Sequence, residues 1–140
     1  MNKTKIFVYG TLMKDFHNYN KYLKDKVTSI ETGYIYGKLY HLYEHDCPAV
    51  IDGNDKVYGE IIEFFDDIFQ NTLNKLDNFE KYFFGMDYVI YEREYVDVYY
   101  SNSTSEKLSF YKLINLDILE REHTKYIDSG NWKAFFNNNY

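Results

Sequence analysis

Glu80 is the residue whose type and position most invite chemistry. Residues 65–81 can be projected onto a helix at about 100° per residue, with Phe69 as zero; Leu73 then lies at about +40°, Leu76 at about −20° and Phe65 at about −40°. Glu80 falls at about +20°, inside this apolar stripe. Asn71, Asn74, Lys75, Asp77, Asn78 and Lys81 mostly occupy the opposite side. A carboxylate on a buried face is costly unless it is paired or hydrogen-bonded, and desolvation raises its pKa. A carboxyl tuned toward neutrality is what a general base or acid requires. The alternative is structural: Glu80 reaches solvent beyond the helix end, or pairs with Arg93 or Lys81.

Tyr9-Gly10-Thr11-Leu12 is the second candidate, a strand end followed by a tight turn. Such turns can aim several backbone N–H groups at one spot and hold an anion. On spacing alone an ordinary strand-to-helix turn is the better reading, because a lone Gly-Thr pair says little. The four histidines, 17, 41, 45 and 123, lack metal-ligand spacing with acidic partners, so no metal site is expected. Cys47, the one cysteine, excludes an internal disulfide and reads as packing or loop. No Gly-rich phosphate loop, G-x-S-x-G or dinucleotide fingerprint is present.

The elements that must position these residues read as mixed α and β. Strands are predicted at 5–9, 32–42, 57–65, 87–101 and 107–114. The third is reached through a turn at Asp52-Gly53-Asn54-Asp55, and the last two flank the polar turn 102–105. Helices are predicted at 16–25 and 66–82, the latter with Asp66 and Asp67 at its dipole-favoured start. Residues 115–136 read as weakly helical with a break at 128–130, and Asn137–Tyr140 as a frayed tail. Strands joined by hairpins or a single helix favour an α+β class with a barrel-like mixed sheet, in one domain over residues 1–140.

Composition narrows the functions. The 140 residues carry 16 Lys+Arg and 22 Asp+Glu, a net charge of −6, which argues against nucleic acid. No apolar stretch approaches the ~20 residues needed to span a bilayer, and the opening residues go straight into a strand rather than a signal peptide. A cytoplasmic protein with no membrane partner is expected. Aromatic residues are 21% of the chain, with 17 Tyr and 11 Phe, so phenol rings must fill part of the core or line a cavity.

Several short motifs, in order over residues 5–133, resemble the γ-glutamylcyclotransferase-like, or AIG2-like, family. The segment 7–15 (FVYGTLMKD) resembles its first strand and YGTL loop. Gly37–Tyr40 resembles its G-x-L-Y strand, Cys47–Val50 its Pro-containing segment, and Val57–Glu60 its V-x-G-E strand. Leu76-Asp77-Asn78-Phe79-Glu80 resembles the helix end that carries the catalytic glutamate. Tyr91-Glu92-Arg93 and Ser129-Gly130-Asn131-Trp132 resemble its Y-x-R strand and a late S-G-D-W turn. The likeness is to small bacterial members and to the γ-glutamylamine cyclotransferase type.

The resemblance implies a γ-glutamylcyclotransferase-like fold, a small mixed β-barrel flanked by short helices. It implies an enzyme that needs no metal or cofactor and converts a γ-glutamyl amine or peptide to 5-oxoproline plus a free amine or amino acid. Glu80 would be the general acid/base, and Tyr9, Gly10, Thr11, Leu12 and Tyr91 would bind the substrate. From the aromatic content, Tyr9 and Tyr91 are also expected to wall the pocket beside Glu80, where their rings exclude water and their hydroxyls can orient a polar substrate. A non-catalytic member that holds a small ligand or a protein is the alternative; an acyltransferase or amidohydrolase using Glu80 is a lesser one. The leaving amine and the oligomeric state are not specified, and loops 41–56 and 82–87 are expected to set the cavity width.

Overall fold

The apolar and β-branched runs become six strands joined by four short helices, in a computed structural model that describes residues 2–66, 71–81 and 90–139. In chain order these are β1 (Asn2–Val8), α1 (His17–Tyr22), β2 (Val27–Leu42), β3 (Cys47–Asp66), α2 (Thr72–Lys81), β4 (Tyr91–Tyr100), β5 (Ser105–Leu113), α3 (Asp117–Arg121), β6 (Thr124–Tyr126) and α4 (Trp132–Asn139). β1 lies between β3, antiparallel to it, and β5, parallel to it. β5 pairs with β4, β4 with β2, and β2 with β3, which closes a five-stranded mixed barrel. β6 adds to the far end of β2 through Tyr40↔Tyr126. This is the α+β barrel class expected from the sequence. Closure leaves few free sheet edges, and Ile6, Ile35, Leu39, Val57, Ile62 and Leu113 are all fully buried in the core.

Three expectations change. The Asp52–Asp55 segment is not a turn before a new strand; β3 runs through it from Cys47. Its pairing with β2 slips there, from Gly37↔Asp55 to Lys38↔Ile51, so residues 52–54 bulge from the ladder. A Cβ at Gly53 would meet the Gly37 carbonyl oxygen at 2.8 Å, so the bulge folds onto β2 only because that position is glycine. Residues 115–136 hold α3, β6 and the start of α4 rather than one interrupted helix. The tail residues Asn137–Asn139 are helical, because α4 is anchored at its start. Trp132 is fully buried, its indole N–H donates to His41 Nδ1 at 3.0 Å, and Phe16 packs on Trp132 and Phe136.

The catalytic-helix expectation shortens to α2. Phe65 belongs to β3, and residues 67–70, with the Phe69 used as reference, lie outside the described residues, as do 82–89. Leu76 is fully buried and Leu73 packs against the core, so the apolar stripe is present. Asp66, at the end of β3, caps the helix from a distance in sequence. Its two carboxylate oxygens accept the N–H groups of Thr72 (2.8 Å) and Leu73 (3.1 Å). Lys26 Nζ also donates to Thr72 Oγ1 at 2.8 Å. Among the described residues, no helix is long and apolar enough to cross a membrane.

Removing the Asp66 cap strands two helix N–H groups. Asp66→Ala is expected to lower unfolding free energy by about 1 kcal/mol, with Asp66→Asn recovering part of it, as read from urea denaturation midpoints. Equal midpoints for wild type and Asp66→Ala would show that the cap does not hold α2.

Candidate active site

β1 delivers the chain into the barrel mouth, and Tyr9-Gly10-Thr11-Leu12 turns there. The turn is tight: Met13 N–H donates to the Gly10 carbonyl at 2.9 Å. α1 then clamps it, with Tyr19 N–H on the Thr11 carbonyl (3.1 Å) and Asn18 Nδ2 on Thr11 Oγ1 (2.6 Å). A Cβ at Gly10 would meet Pro48 Cγ at 2.5 Å, so only glycine lets the start of β3 press on this loop. The loop's own bonds use its carbonyls and the Thr11 hydroxyl as acceptors. Among the described residues, none takes the N–H of Gly10, Thr11 or Leu12. Backbone N–H groups that no acceptor among these residues takes, on a loop that lines a pocket, suit a ligand oxygen.

All six residues singled out from the sequence, Tyr9, Gly10, Thr11, Leu12, Glu80 and Tyr91, line one pocket. Its empty space is about 420 Å³, part of it open to solvent. Sequence reasoning missed Phe7, Val8, Cys47, Pro48, Phe79 and Tyr111, which complete the wall. Tyr111 carried a readable signal: it faces Arg93 across the β4–β5 ladder, two residues along β4 from Tyr91. Cys47 is buried at the start of β3, not in a loop.

The phenols are walls, not substrate donors. A phenol has one O–H. Tyr9 gives its own to the Tyr111 carbonyl (2.6 Å), Tyr91 to the Pro48 carbonyl (2.8 Å) and Tyr111 to Asp77 Oδ1 (2.7 Å). The expectation that Tyr9 and Tyr91 hydroxyls orient a substrate is therefore corrected: backbone carbonyls at the barrel mouth have already claimed them. Burial first pushes these three phenols upward, with neighbouring charge second for Tyr9 and Tyr91 and the hydrogen bond to Asp77 second for Tyr111, so they stay neutral. Burial also pushes the Cys47 thiol up, which keeps it a thiol rather than a nucleophilic thiolate.

Glu80 stands among these rings. Burial pushes its carboxyl up to about 8, and the negative charge of Asp77, one helical turn earlier, adds to the rise. The ion pair with Arg93 considered for Glu80 goes to Asp77 instead, with Arg93 Nε donating to Asp77 Oδ1 at 2.9 Å. Elsewhere, Glu44, His45 and Glu122 place ligand-type atoms within 4.8 Å of one another, but none of the three lines this pocket. His45 Nε2 and Glu122 Oε1 pair there at 2.7 Å.

An acid whose folded pKa lies above its ordinary value of 4.5 binds more protons folded than unfolded between the two values. Its contribution to stability is therefore present below about 4.5 and is lost as pH rises through about 8. Melting temperatures of wild type and Glu80→Gln, measured from pH 5 to 9, should diverge with rising pH in favour of the variant. Parallel curves would show that the Glu80 carboxyl is solvated.

The chain matches the family model described as gamma-glutamyl cyclotransferase, AIG2-like, over residues 6–134. No curated protein sequence matches it. Among solved structures, YkqA from Bacillus subtilis is 23% identical with a TM-score of 0.63. The alignment covers 95% of this chain but 40% of YkqA, so the chain spans less than half of that relative. An AIG2-like protein from Mus musculus is 25% identical over 81% of this chain and 79% of its own, with a TM-score of 0.64. A protein named gamma-glutamyl cyclotransferase is 15% identical over 81% of this chain and 68% of its own, with a TM-score of 0.56, a likeness of fold. With the family model spanning nearly the whole barrel, the chain belongs to the gamma-glutamyl cyclotransferase, AIG2-like family.

Proposed function

We propose that this protein is a γ-glutamyl cyclotransferase that cyclises the glutamyl group of a γ-glutamyl amine or peptide, with Glu80 as the general base and acid. The observation that carries this reading is one pocket that holds both a desolvated carboxyl and a loop with unclaimed backbone N–H groups.

The nucleophile is inside the substrate. Its α-ammonium gives a proton to the Glu80 carboxylate. The freed nitrogen attacks the γ-carbonyl carbon, and a new C–N bond closes the five-membered ring. In this reading the N–H groups of Gly10, Thr11 and Leu12 hold the substrate carboxylate or the oxyanion that forms, which the presence of these residues in the pocket wall supports. As the oxyanion collapses, the original amide C–N bond breaks and the Glu80 proton passes to the leaving nitrogen; Glu80 then takes the second proton from the ring nitrogen and passes it to the amine, which leaves a lactam N–H and an ammonium. The products are 5-oxoproline and the free amine. Tyr9, Tyr91 and Tyr111 exclude water, which would otherwise compete as nucleophile and give glutamate.

A base works best when its pKa matches its task. A Glu80 carboxyl near 8 lies much closer to an α-ammonium than an ordinary carboxylate does, so proton transfer between them is far less uphill. An exposed carboxylate near 4 would return the proton to the amine almost every time.

Incubation with a panel of γ-glutamyl amines and peptides should release 5-oxoproline. Glu80→Gln should lower that rate about 10²–10⁴-fold while circular dichroism stays native. Full activity in the variant would remove Glu80 from the mechanism. Release of glutamate would make the protein an amidohydrolase, and ligand-induced stabilisation without any product would make it a binding protein.

A further inference from the structure

The glutamate of the Val57–Glu60 segment has no part in the reaction above, yet it reaches the loop on which that reaction depends. Lys14 N–H donates to Glu60 Oε1 at 2.7 Å, a bond between residues 46 apart in sequence. We propose that Glu60 is a positioning residue: its carboxylate anchors the chain just after the Tyr9–Leu12 loop to β3, and so keeps the N–H groups of Gly10, Thr11 and Leu12 aimed into the pocket. The inference rests on the reaction proposed above and adds a residue to it.

The register of the barrel puts Glu60 at this place. It pairs with Val8, the last residue of β1, so it sits beside the strand end from which the loop departs. The residue is half-buried. Among the described residues the Lys14 N–H is the one donor to its carboxylate, and no cation forms an ion pair with it. The charge is therefore committed to the loop rather than to a salt bridge, and a hydrogen bond to a charged acceptor is stronger than one between neutral groups.

The loop needs such an anchor because it adjoins two hollows. Gly10, Thr11 and Leu12 line the Glu80 pocket. The next residue, Met13, lines a separate recess of about 910 Å³, part of it open to solvent, together with Glu60. Asp15 then takes φ 74°, a left-handed conformation uncommon outside glycine, before α1 begins at His17. α1 clamps Thr11, but it has six residues and no side-chain cap, so it cannot brace the loop by itself. Glu60 supplies a fixed point on the barrel between the tight turn and this bend. The bonds also sort the donors: Met13 N–H goes to the Gly10 carbonyl and Lys14 N–H to Glu60, while no described residue takes those of Gly10, Thr11 and Leu12.

The test compares Glu60→Ala, which removes the acceptor, with Glu60→Gln, which keeps an oxygen for the Lys14 N–H. With the fold checked by circular dichroism, Glu60→Ala should lower kcat/KM for 5-oxoproline release from the γ-glutamyl panel by about 10- to 100-fold, and Glu60→Gln should recover most of it. In the substrate-free protein, the NMR amide cross-peaks of Gly10, Thr11 and Leu12 should shift in Glu60→Ala and return in Glu60→Gln. Glu60→Met, of similar length but without a carboxylate, repeats the test if Glu60→Ala does not fold. An unchanged kcat/KM in Glu60→Ala, even with a lower melting temperature, would make Glu60 a stability residue only and overturn the proposal. Cross-peaks that stay in place, or a loss of rate that Glu60→Gln does not recover, would overturn it as well. A wild type without turnover would overturn the reaction instead. The cross-peaks then decide on Glu60 alone: moved in Glu60→Ala and restored in Glu60→Gln if it positions the loop, unmoved if it does not.

Discussion

The desolvation of one carboxyl group organises this structure. Glu80 ends α2 among aromatic rings, and the phenols around it cannot solvate it, because each has given its hydroxyl to another acceptor. Glu80 is half-buried, and burial among the rings pushes its carboxyl up to about 8. Every element at this end of the barrel serves that exclusion. β1 contributes Phe7 and Val8, the turn after it Tyr9, β3 contributes Cys47 and Pro48, β4 contributes Tyr91 and β5 contributes Tyr111. The aromatic excess of the chain is thus partly a requirement of the site. Another part lies on the barrel surface, where Tyr34 stacks on Tyr99 and Tyr36 and Tyr58 are exposed.

A desolvated acid is useful only if its helix stays in place, and α2 is a short helix that lacks intrinsic stability. Its two ends are therefore tied to the barrel. Asp66 and Lys26 hold the first turn from β3 and from the residue before β2. Asp77 holds the later turn by one oxygen that accepts from both Arg93 on β4 and Tyr111 on β5. The Tyr111 carbonyl in turn takes the Tyr9 hydroxyl, so the helix and the Tyr9–Leu12 loop are linked through a single strand residue. The Gly10–Pro48 contact fixes that loop from the other side.

Much of this was legible in the chain because it depends on local periodicity. The stripe of Leu73 and Leu76 places Glu80 on the buried face of α2 without reference to any other element. The Tyr9–Leu12 turn and the 102–105 hairpin are equally local; Asn102 Oδ1 accepts both the N–H and the hydroxyl of Thr104 there. What stayed hidden depends on contacts far apart in sequence. The Asp66 cap skips residues that a local reading assigns to the helix itself. The bulge at 52–54 looks like a turn because Asp, Gly and Asn are turn residues, yet long-range pairing of β2 with β3 carries the strand through it. Tyr hydroxyl partners lie 34 to 102 residues away, so no spacing rule could find them.

The central claim is that Glu80 and the backbone of residues 10–12 address the same small molecule. A crystal structure with 5-oxoproline bound tests it most directly. The account predicts the product's carboxylate or ring carbonyl on the N–H groups of Gly10, Thr11 and Leu12, with a Glu80 oxygen within ~3.2 Å of the ring nitrogen. A 5-oxoproline bound outside this pocket, or held on the loop with Glu80 turned away from its nitrogen, would contradict it.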